Sequence, residues 1–361
     1  MRGFEPITLE RLVEILDSFK GRRIAVFGDY YLDRYVHGVM EDISREAPVP
    51  IVRFKKGGNI YSPGAAGNTA WNAADLGAEV YAIGVVGDDY AGKILMQELN
   101  LRGIDTSLMV VDPDRVTCTY EKTYAKSKYV KTGEWQQVAR LDAENDEKIS
   151  ERTREMLIGG LRSILDEVEA VIVVDQVEEE EMGAVTGEVL EELKEMASRS
   201  GKLFVADSRK RIGRFDRFGL VVPNDYEACE AAGLEEVYWR EEITPEMVHR
   251  AGEILRGRLG CDVIVTTGER GMTVFPKDGG FVDVPTVPAQ GEIDITGAGD
   301  TVTASVTLAL CCGADLIEAA QIGNLAAGVT VKKVGITGTA TKEEIIQEFE
   351  LRKSRGGDRS C

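Results

Sequence analysis

The chain has 361 residues, 43% of them hydrophobic, which is enough for one large α/β domain with a buried core. Its 62 acidic and 43 basic residues give a formal net charge of −19, which argues against nucleic acid or an anionic membrane as the main partner. Six cysteines without a Cys-x-x-Cys pair, and only two histidines, argue against a zinc site and fit a reducing compartment. We recognise no signal peptide and no apolar run near the ~20 residues of a membrane span, so we expect a cytoplasmic protein.

Apolar, β-favouring runs alternate with helix-periodic segments along most of the chain. The predicted strands are, in order, 23–27, 80–86, 170–174, 203–206, 220–222, 263–266 and 273–275. The predicted helices are 9–19, 69–76, 90–102 and 187–200, and the chain from Thr301 onward is largely helical. This alternation predicts a mostly parallel central sheet that helices cover on both faces. We assign residues 1–351 to one α/β domain and expect the polar, glycine-rich tail 352–361 to be disordered.

Two segments interrupt this alternation. Residues 35–61 contain an extended apolar run flanked by prolines, and residues 117–141 alternate β-favouring with polar side chains. Both segments are predicted as strands outside the main sheet, and together they could form a small β lid over one edge of the domain. Two long surface hairpins without a function are the alternative.

The most informative stretch is Asp294-Ile295-Thr296-Gly297-Ala298-Gly299-Asp300, just before the apolar, helix-periodic segment 302–312. A glycine-rich turn at a helix N terminus presents free backbone N–H groups and the positive end of the helix dipole. Such a turn can hold a phosphate or the charge that develops during its transfer. Asp300 lies beside the turn, where a carboxylate could take a proton from an attacking hydroxyl. Alternatively, Asp300 is only an N-cap and the glycines form only a tight turn.

Two further groups of residues suit the binding of a polyol. The small residues of 62–68 precede a helix and allow a ligand to approach the backbone, and Asn68 offers both a donor and an acceptor to sugar hydroxyls. Asp29 and Asp33 follow the first strand, at the edge where open α/β sheets bind ligands. A closely packed helix start and ordinary turn or cap chemistry are the respective alternatives.

Three loops bear on nucleotide and metal binding. Asn224 and Glu227 share a helix face after a strand and would suit Mg²⁺, although a capping box is the alternative. The strand-end loop 266–271 could line a nucleotide pocket or be a plain turn. Residues 87–94 nearly match a P-loop, but Ile94 replaces its Ser/Thr, so we interpret them as a tight turn. The first strand is not followed by Gly-x-Gly-x-x-Gly, which disfavours a nicotinamide enzyme.

In this order the motifs resemble those of the ribokinase-like (pfkB) sugar kinases over about residues 22–349. The resemblance implies a ribokinase-like three-layer sandwich with a β lid, and an ATP- and Mg²⁺-dependent transfer of phosphate to a sugar hydroxyl. It implies that Asp300 is the catalytic base. The other implied roles are an anion hole at Gly297, Ala298 and Gly299, sugar contacts at Asp33, Gly64 and Asn68, Mg²⁺ and phosphate positioning at Asn224 and Glu227, nucleotide contacts at Thr266, Gly268, Gly271 and Asn324, and a monovalent cation such as K⁺ at the backbone around Asp294 and Thr296.

Within this family, segments 31–35 and 43–52 look most like the kinases that convert D-glycero-D-manno-heptose 7-phosphate into the 1,7-bisphosphate. Another sugar, sugar phosphate or nucleoside is the alternative acceptor, and a non-catalytic sugar-binding protein on the same fold is the remote alternative. Ala65 stands where the family has the second glycine of a pair, which places a Cβ near the sugar.

Charge and exposure add two expectations. Two basic clusters stand out in this acidic chain, namely Lys122, Lys126, Lys128 and Lys131, and Arg209, Lys210, Arg211 and Arg214. They predict an acceptor that is already phosphorylated and bound by Arg209, with solvated surface as the alternative for the first cluster. The apolar run 49–54 predicts a sheet edge that a second chain covers in a homodimer.

Overall fold

The computed structural model describes residues 4–128, 135–234 and 243–355, and its strands and helices are numbered in chain order. The strands are β1 Arg23–Gly28, β2 Tyr30–Ile43, β3 Pro50–Arg53, β4 Asn59–Ala65, β5 Glu79–Ile83, β6 Val85–Gly87, β7 Val110–Asp112, β8 Thr119–Ser127, β9 Gln136–Ala143, β10 Ala170–Asp175, β11 Leu203–Ser208, β12 Leu220–Val221, β13 Asp262–Thr266, β14 Met272–Phe275 and β15 Val282–Val284. The helices are α1 Leu9–Asp17, α2 Ala66–Asp75, α3 Tyr90–Leu101, α4 Glu151–Ile164, α5 Gly187–Ser200, α6 Asp225–Ala231, α7 Pro245–Leu259, α8 Ala298–Cys311, α9 Leu316–Thr330 and α10 Lys342–Arg355. None of the helices in these ranges is long and apolar enough to cross a membrane.

Eight strands form the central sheet, in the order β15-β14-β13-β12-β11-β10-β1-β5. All neighbours from β5 to β13 are parallel, and β14 runs antiparallel to both β13 and β15. Strands β1 and β10 are almost entirely buried, as expected for strands that are covered on both faces. The predicted α/β class with a mostly parallel sheet is confirmed.

Two hydrophobic cores lie on opposite faces of this sheet because alternate residues of each strand point to opposite sides. Ile24 and Val26 of β1 pack in one core with buried side chains of α1, α2, α3, α8, α9 and α10. Ala25 and Phe27 pack in the other core with buried side chains of α4, α5, α6 and α7. The result is the predicted three-layer sandwich.

The segments predicted as a lid pair with each other in a separate five-stranded sheet. Strand β2 pairs with β3 and β4 on one edge and with β8 on the other, and β9 follows β8. The lid is joined to the central sheet where β1 passes into β2, at Gly28 and Asp29. Gly28 has φ +144°, and a Cβ there would lie 2.0 Å from the Val174 carbonyl oxygen, so this crossing requires glycine. Residues 129–134 of the predicted second lid segment lie outside the described ranges.

Two predicted boundaries differ from the structure. The strand predicted at 80–86 is divided at Gly84, because β5 pairs with β1 in the central sheet whereas β6 leaves it to pair with β7. The tail predicted to be disordered from Arg352 is helical as far as Arg355, and Arg352 is buried. Arg352 donates hydrogen bonds to Glu348, Thr286 and the Asn324 carbonyl, which compensate its charge. Residues 356–361 of that tail lie outside the described ranges.

Candidate active site

Polar residues meet at the carboxyl edge of the central sheet, where open α/β sheets bind ligands. They lie at or just beyond the ends of five parallel strands: Asp29, Asp175, Asp207, Asn224 and Thr266. The N terminus of α8 and the lid strands complete the site.

Gly297 is the N-cap of α8, with φ +80°. A Cβ at this position would lie 2.4 Å from Asn68 Nδ2 and 2.7 Å from Thr337 Cγ2, so the close approach of α8 to α2 requires glycine. The Ala298 amide donates to the Ile295 carbonyl at 3.2 Å. In the described part of the chain no acceptor takes the amides of Gly297 and Gly299, so of the three predicted anion-hole amides these two are available to a ligand.

Asp300 lies in the first turn of α8, and two residues at the start of α2 hold its carboxylate. Asn68 Nδ2 donates to Oδ2 at 2.7 Å and Thr69 Oγ1 donates to Oδ1 at 3.2 Å. Asn72 Nδ2 donates to Asn68 Oδ1 at 3.2 Å, and Thr301 Oγ1 donates to Asn72 Oδ1 at 2.9 Å. This chain of contacts turns the amide N–H₂ of Asn68 towards Asp300, so Asn68 orients the Asp300 carboxylate, and its predicted sugar contact remains a prediction. Thr69 and Asn72 carry no motif that would have identified them in the sequence.

Burial first, and then the charge of Asp207, raise the pKa of Asp300, whereas the hydrogen bonds from Asn68 and Thr69 and the charge of Arg209 lower it; the net result is a pKa of about 7. A carboxyl group with a pKa near neutrality is suited to accept a proton during catalysis.

Asp207 and Glu227 are two further carboxyl groups with raised pKa values. Burial raises the pKa of Asp207, and Arg209 and a 3.2 Å hydrogen bond from Thr303 Oγ1 lower it, with a net pKa of about 6. Burial and the nearby Asp207 charge raise the pKa of Glu227 to about 8. Carboxyl oxygens suit a hard cation, but the described ranges contain no cluster of three or more metal-ligating side chains, so Mg²⁺ would be held here mainly by phosphate oxygens and water. Asp207 was missed in the sequence analysis, although its place at a strand end was a usable signal.

Asn224 and Glu227 form a capping box at the start of α6. Glu227 N donates to Asn224 Oδ1 at 2.8 Å, and Asn224 N donates to Glu227 Oε2 at 2.9 Å. The capping alternative is therefore present. The cap fixes both side chains at the end of β12, where they could also position a metal, so it does not compete with that role.

The four basic residues that follow β11 differ in their contacts, because in the described part of the chain three of them pair with carboxylates and Arg209 does not. Arg211 is half-buried and donates through Nε to Asp175 Oδ2 at 3.0 Å, Lys210 pairs with Glu230, and Arg214 pairs with Glu180. Arg209 forms no ion pair within the described ranges. Its charge lowers the pKa values of Asp207, Glu227 and Asp300. Arg209 therefore belongs to the carboxylate group around Asp300.

Asp33 in β2 is buried next to Gly64 in β4. Its Oδ2 accepts from Thr337 Oγ1 at 3.2 Å, and its Oδ1 is buried without a partner among the described residues. Burial raises the pKa of Asp33, and the charges of Lys122 and Arg140 lower it. A buried acceptor without an internal partner can take a hydrogen bond from a ligand hydroxyl.

Asp29 has a different role from the one predicted. Its Oδ2 accepts from the amides of Gln176 and Val177 at 2.8 and 3.0 Å, and its Oδ1 accepts from the Ala184 amide at 2.6 Å. Both oxygens are held by main-chain donors, so Asp29 fixes the loop after β10 to the junction of β1 and β2. We assign it this structural role in place of the predicted sugar contact.

Ala65 precedes α2 with φ +50° and ψ −122°, a conformation that normally favours glycine. Its neighbours Gly64 and Asn68 are predicted sugar contacts. The alanine therefore places a Cβ there and holds a strained backbone.

The loop after β13 and the helix α9 face each other across β14 and β15. Thr266 N donates to the Pro223 carbonyl, and Gly268 and Gly271 have φ +59° and +97° in a tight turn. Asn324 Nδ2 donates to the Val284 carbonyl at 3.1 Å, so Asn324 anchors the end of β15. The nucleotide contacts of these residues remain predictions.

Asp294 ties the segment before α8 to the loop before α10. Its Oδ1 accepts from Thr296 N at 3.0 Å and its Oδ2 accepts from Gly335 N at 3.1 Å. Partial burial would raise its pKa, but these hydrogen bonds and the charge of Lys122 lower it. The monovalent cation expected near Asp294 and Thr296 remains a prediction.

Comparison with known proteins identifies the family. Residues 22–343 match the pfkB family of carbohydrate kinases. The bifunctional protein HldE of Caulobacter sp. strain K31 is 32% identical over 93% of this chain, which spans 64% of that relative's length. HldE of Geobacter metallireducens is 34% identical over 91% of this chain, which spans 63% of its length.

Solved structures share the fold. Arabidopsis thaliana ribokinase complexed with ribose and ATP has a TM-score of 0.66 at 18% identity, covering 92% of this chain and 99% of its own. Phosphofructokinase-2 of Escherichia coli in complex with potassium has a TM-score of 0.70 at 19% identity, with the same coverage. The fold, the order of the motifs and the family match agree: this chain belongs to the pfkB family of carbohydrate kinases, which transfer a phosphoryl group to a sugar hydroxyl.

Proposed function

We propose that this kinase uses ATP and Mg²⁺ to phosphorylate a sugar phosphate, D-glycero-D-manno-heptose 7-phosphate, to the 1,7-bisphosphate. The observation that carries the proposal is the Asp300 carboxyl group. Asn68 and Thr69 hold it beside the N terminus of α8, and its pKa is about 7.

The arrangement supports an in-line transfer. The acceptor hydroxyl oxygen attacks the γ-phosphorus of ATP, the bond to the ADP oxygen breaks, and the hydroxyl proton passes to Asp300. The free amides of Gly297 and Gly299 donate to the transferred group, and the dipole of α8 adds to their effect. Mg²⁺, when bound, neutralises phosphate charge, and Asn224 and Glu227 would position it.

The acceptor is the narrower part of the proposal. Segments 31–35 and 43–52 resemble those of heptose 7-phosphate kinases, and the HldE proteins are relatives over more than nine-tenths of this chain. The buried, unpartnered Oδ1 of Asp33 supplies an acceptor for a sugar hydroxyl. Another sugar, sugar phosphate or nucleoside is the alternative acceptor.

A substrate screen tests the function. ADP release is measured with heptose 7-phosphate, fructose 6-phosphate, ribose 5-phosphate, their unphosphorylated parents and nucleosides, for wild type and for Asp300→Asn. We expect the highest kcat/KM with heptose 7-phosphate, and a kcat lowered by about 10²–10⁴ in the variant because it lacks the base. ATP affinity should change little. Turnover within about tenfold of wild type in Asp300→Asn would contradict the base assignment, and sugar binding without turnover would favour a non-catalytic binding protein.

A further inference from the structure

Two cationic side chains lie next to each other on one face of the lid. Lys122 of β8 and Arg140 of β9 are register partners across the antiparallel pair, and Lys122 is also the register partner of Tyr35 in β2. Residues two apart in a strand share a face, so Asp33 belongs to the same face as Tyr35. Lys122 and Arg140 therefore share the face that carries the proposed sugar contact.

Ring contacts and hydrogen bonds show where this face points. Lys122 Nζ lies 5.1 Å from the centroid of the Tyr35 ring, and Arg140 Cζ lies 4.7 Å from that of Tyr120. The Tyr35 hydroxyl is 3.1 Å from Thr337 Oγ1, which in turn contacts Asp33. The face is thus directed at the loop before α10, which contacts both Asp294 and Gly297. The charges of both cations lower the pKa of Asp33, which agrees with this placement.

These two cations keep donors available. Lys122 forms no salt bridge within the described ranges, and Arg140 donates only through Nε, to Asp142 Oδ1 at 2.9 Å. Both Nη groups of Arg140 therefore remain free to take a planar, two-point contact. This differs from Lys210, Arg211 and Arg214, whose charges are already paired with carboxylates.

We propose that Lys122 and Arg140 bind the phosphate that the acceptor already carries. Arg209, the sequence-based candidate for that role, acts instead at the carboxylates around Asp300, where the nucleotide phosphates react. The inference rests on the proposed function, because it requires a phosphorylated acceptor. The acceptor then lies with its phosphate under the lid, its hydroxyls at Asp33 and its reacting oxygen at Asp300.

The test compares the sugar phosphate that turns over best in the screen with its unphosphorylated parent. The variants are Lys122→Met, Arg140→Ala, their combination, and Arg53→Ala as a matched control. Arg53 also lies in the lid and also forms an ion pair through Nε, with Glu41 Oε2 at 3.3 Å. It lies in β3, however, on the other side of β2. Thermal melting confirms that every variant is folded.

We expect each single variant to lower kcat/KM for the sugar phosphate about tenfold to a hundredfold, through KM, because a charge-assisted contact is lost. The parent sugar should be used equally well by wild type and all variants, and Arg53→Ala should match wild type with both. If the wild type uses the sugar phosphate no better than its unphosphorylated parent, both the proposed function and this inference are wrong. If wild type prefers the phosphate and the double variant keeps that preference, the function stands and the inference is overturned.

Discussion

Asp300 is the residue whose environment most constrains the chemistry, and Asp207 shapes that environment. The Asp207 charge is one of the two causes that raise the pKa of Asp300, the larger being burial. With a pKa of about 7, the Asp300 carboxyl is about half-ionised at neutral pH, and its ionised fraction falls at lower pH.

This coupling predicts the pH dependence of the wild type and of Asp207→Asn. In wild type, kcat/KM should rise with pH through about 7, because only ionised Asp300 accepts the proton. Removing the Asp207 charge lowers the pKa of Asp300, so the acidic limb of the profile should move to lower pH. Asp278→Asn, at an exposed position, is the control and should leave the profile in place. An acidic limb at the same pH in Asp207→Asn would contradict the coupling.

Ala65 predicts a gain in stability on substitution. Its φ of +50° with ψ of −122° is unfavourable for a residue with a Cβ, at a cost of about 1–2 kcal/mol. Ala65→Gly should therefore raise the free energy of unfolding by about 0.5–1 kcal/mol, after subtracting the greater unfolded-state entropy of glycine. The measurement is urea denaturation. Ala66→Gly, the next residue and the first of α2, should have the opposite sign, and a loss of stability in both variants would refute the strain.

The predictability of the site depends on how far apart the contacting residues are in the chain. The sequence of 294–300 contains the glycine at the N-cap and the acid in the first turn, so their placement at the start of α8 was predictable. The contact between Asn68 and Asp300 spans 232 residues, and no local pattern encodes it. Asp29 was assigned to a sugar because its strand-end position is visible in the sequence, whereas its three main-chain donors are not.

At the scale of elements, Glu227 at the start of α6 has a structural role in the helix cap and a proposed role in positioning Mg²⁺. Two substitutions distinguish these roles. Glu227→Gln keeps an oxygen that can accept from Asn224 N, so its stability should stay near that of wild type. Mg²⁺ would favour the ionised form of Glu227, and glutamine cannot ionise, so the Mg²⁺ concentration for half-maximal rate should rise about tenfold. Glu227→Ala should also lose about 1 kcal/mol of stability with the cap. An unchanged Mg²⁺ titration in Glu227→Gln would leave the residue with a capping role alone.

The bounds of elements were predictable where local chemistry sets them. Helix α5 runs from Gly187 to Ser200 as predicted, with Thr186 as a side-chain N-cap and Gly201 in the left-handed conformation at its end. The end of α10 was predicted too early, because an arginine is usually exposed to solvent. The acceptors that allow Arg352 to be buried, Thr286 and the Asn324 carbonyl, lie in distant parts of the chain. The break at Gly84 also depends on tertiary pairing, since β5 and β6 join different sheets.

At the scale of the molecule, the lid predicts a dimer. Ile43, Val49 and Phe54 expose at least half of their surface near the end of β2 and around β3. Soluble proteins usually cover such sheet edges, and a two-fold dimer would cover both copies at once. We expect light scattering at micromolar concentration to give the mass of two chains, and Phe54→Asp to shift the protein towards the monomer. A wild-type monomer with full activity would rule out this assembly.

The junction of β1 and β2 makes the lid a lever with one fixed end. Asp29 is clamped by three amides, and β2 extends fourteen residues from it, Tyr30 to Ile43. If the lid closes as one body about this point, a turn of about 10° moves Asp33 by about 2 Å and the far end of β2 by about 8 Å, at ~3.3 Å per residue. Asp33, the proposed sugar contact, then moves little, whereas the far end of β2 moves most. Two chains joined at their tips would have to move their lids together.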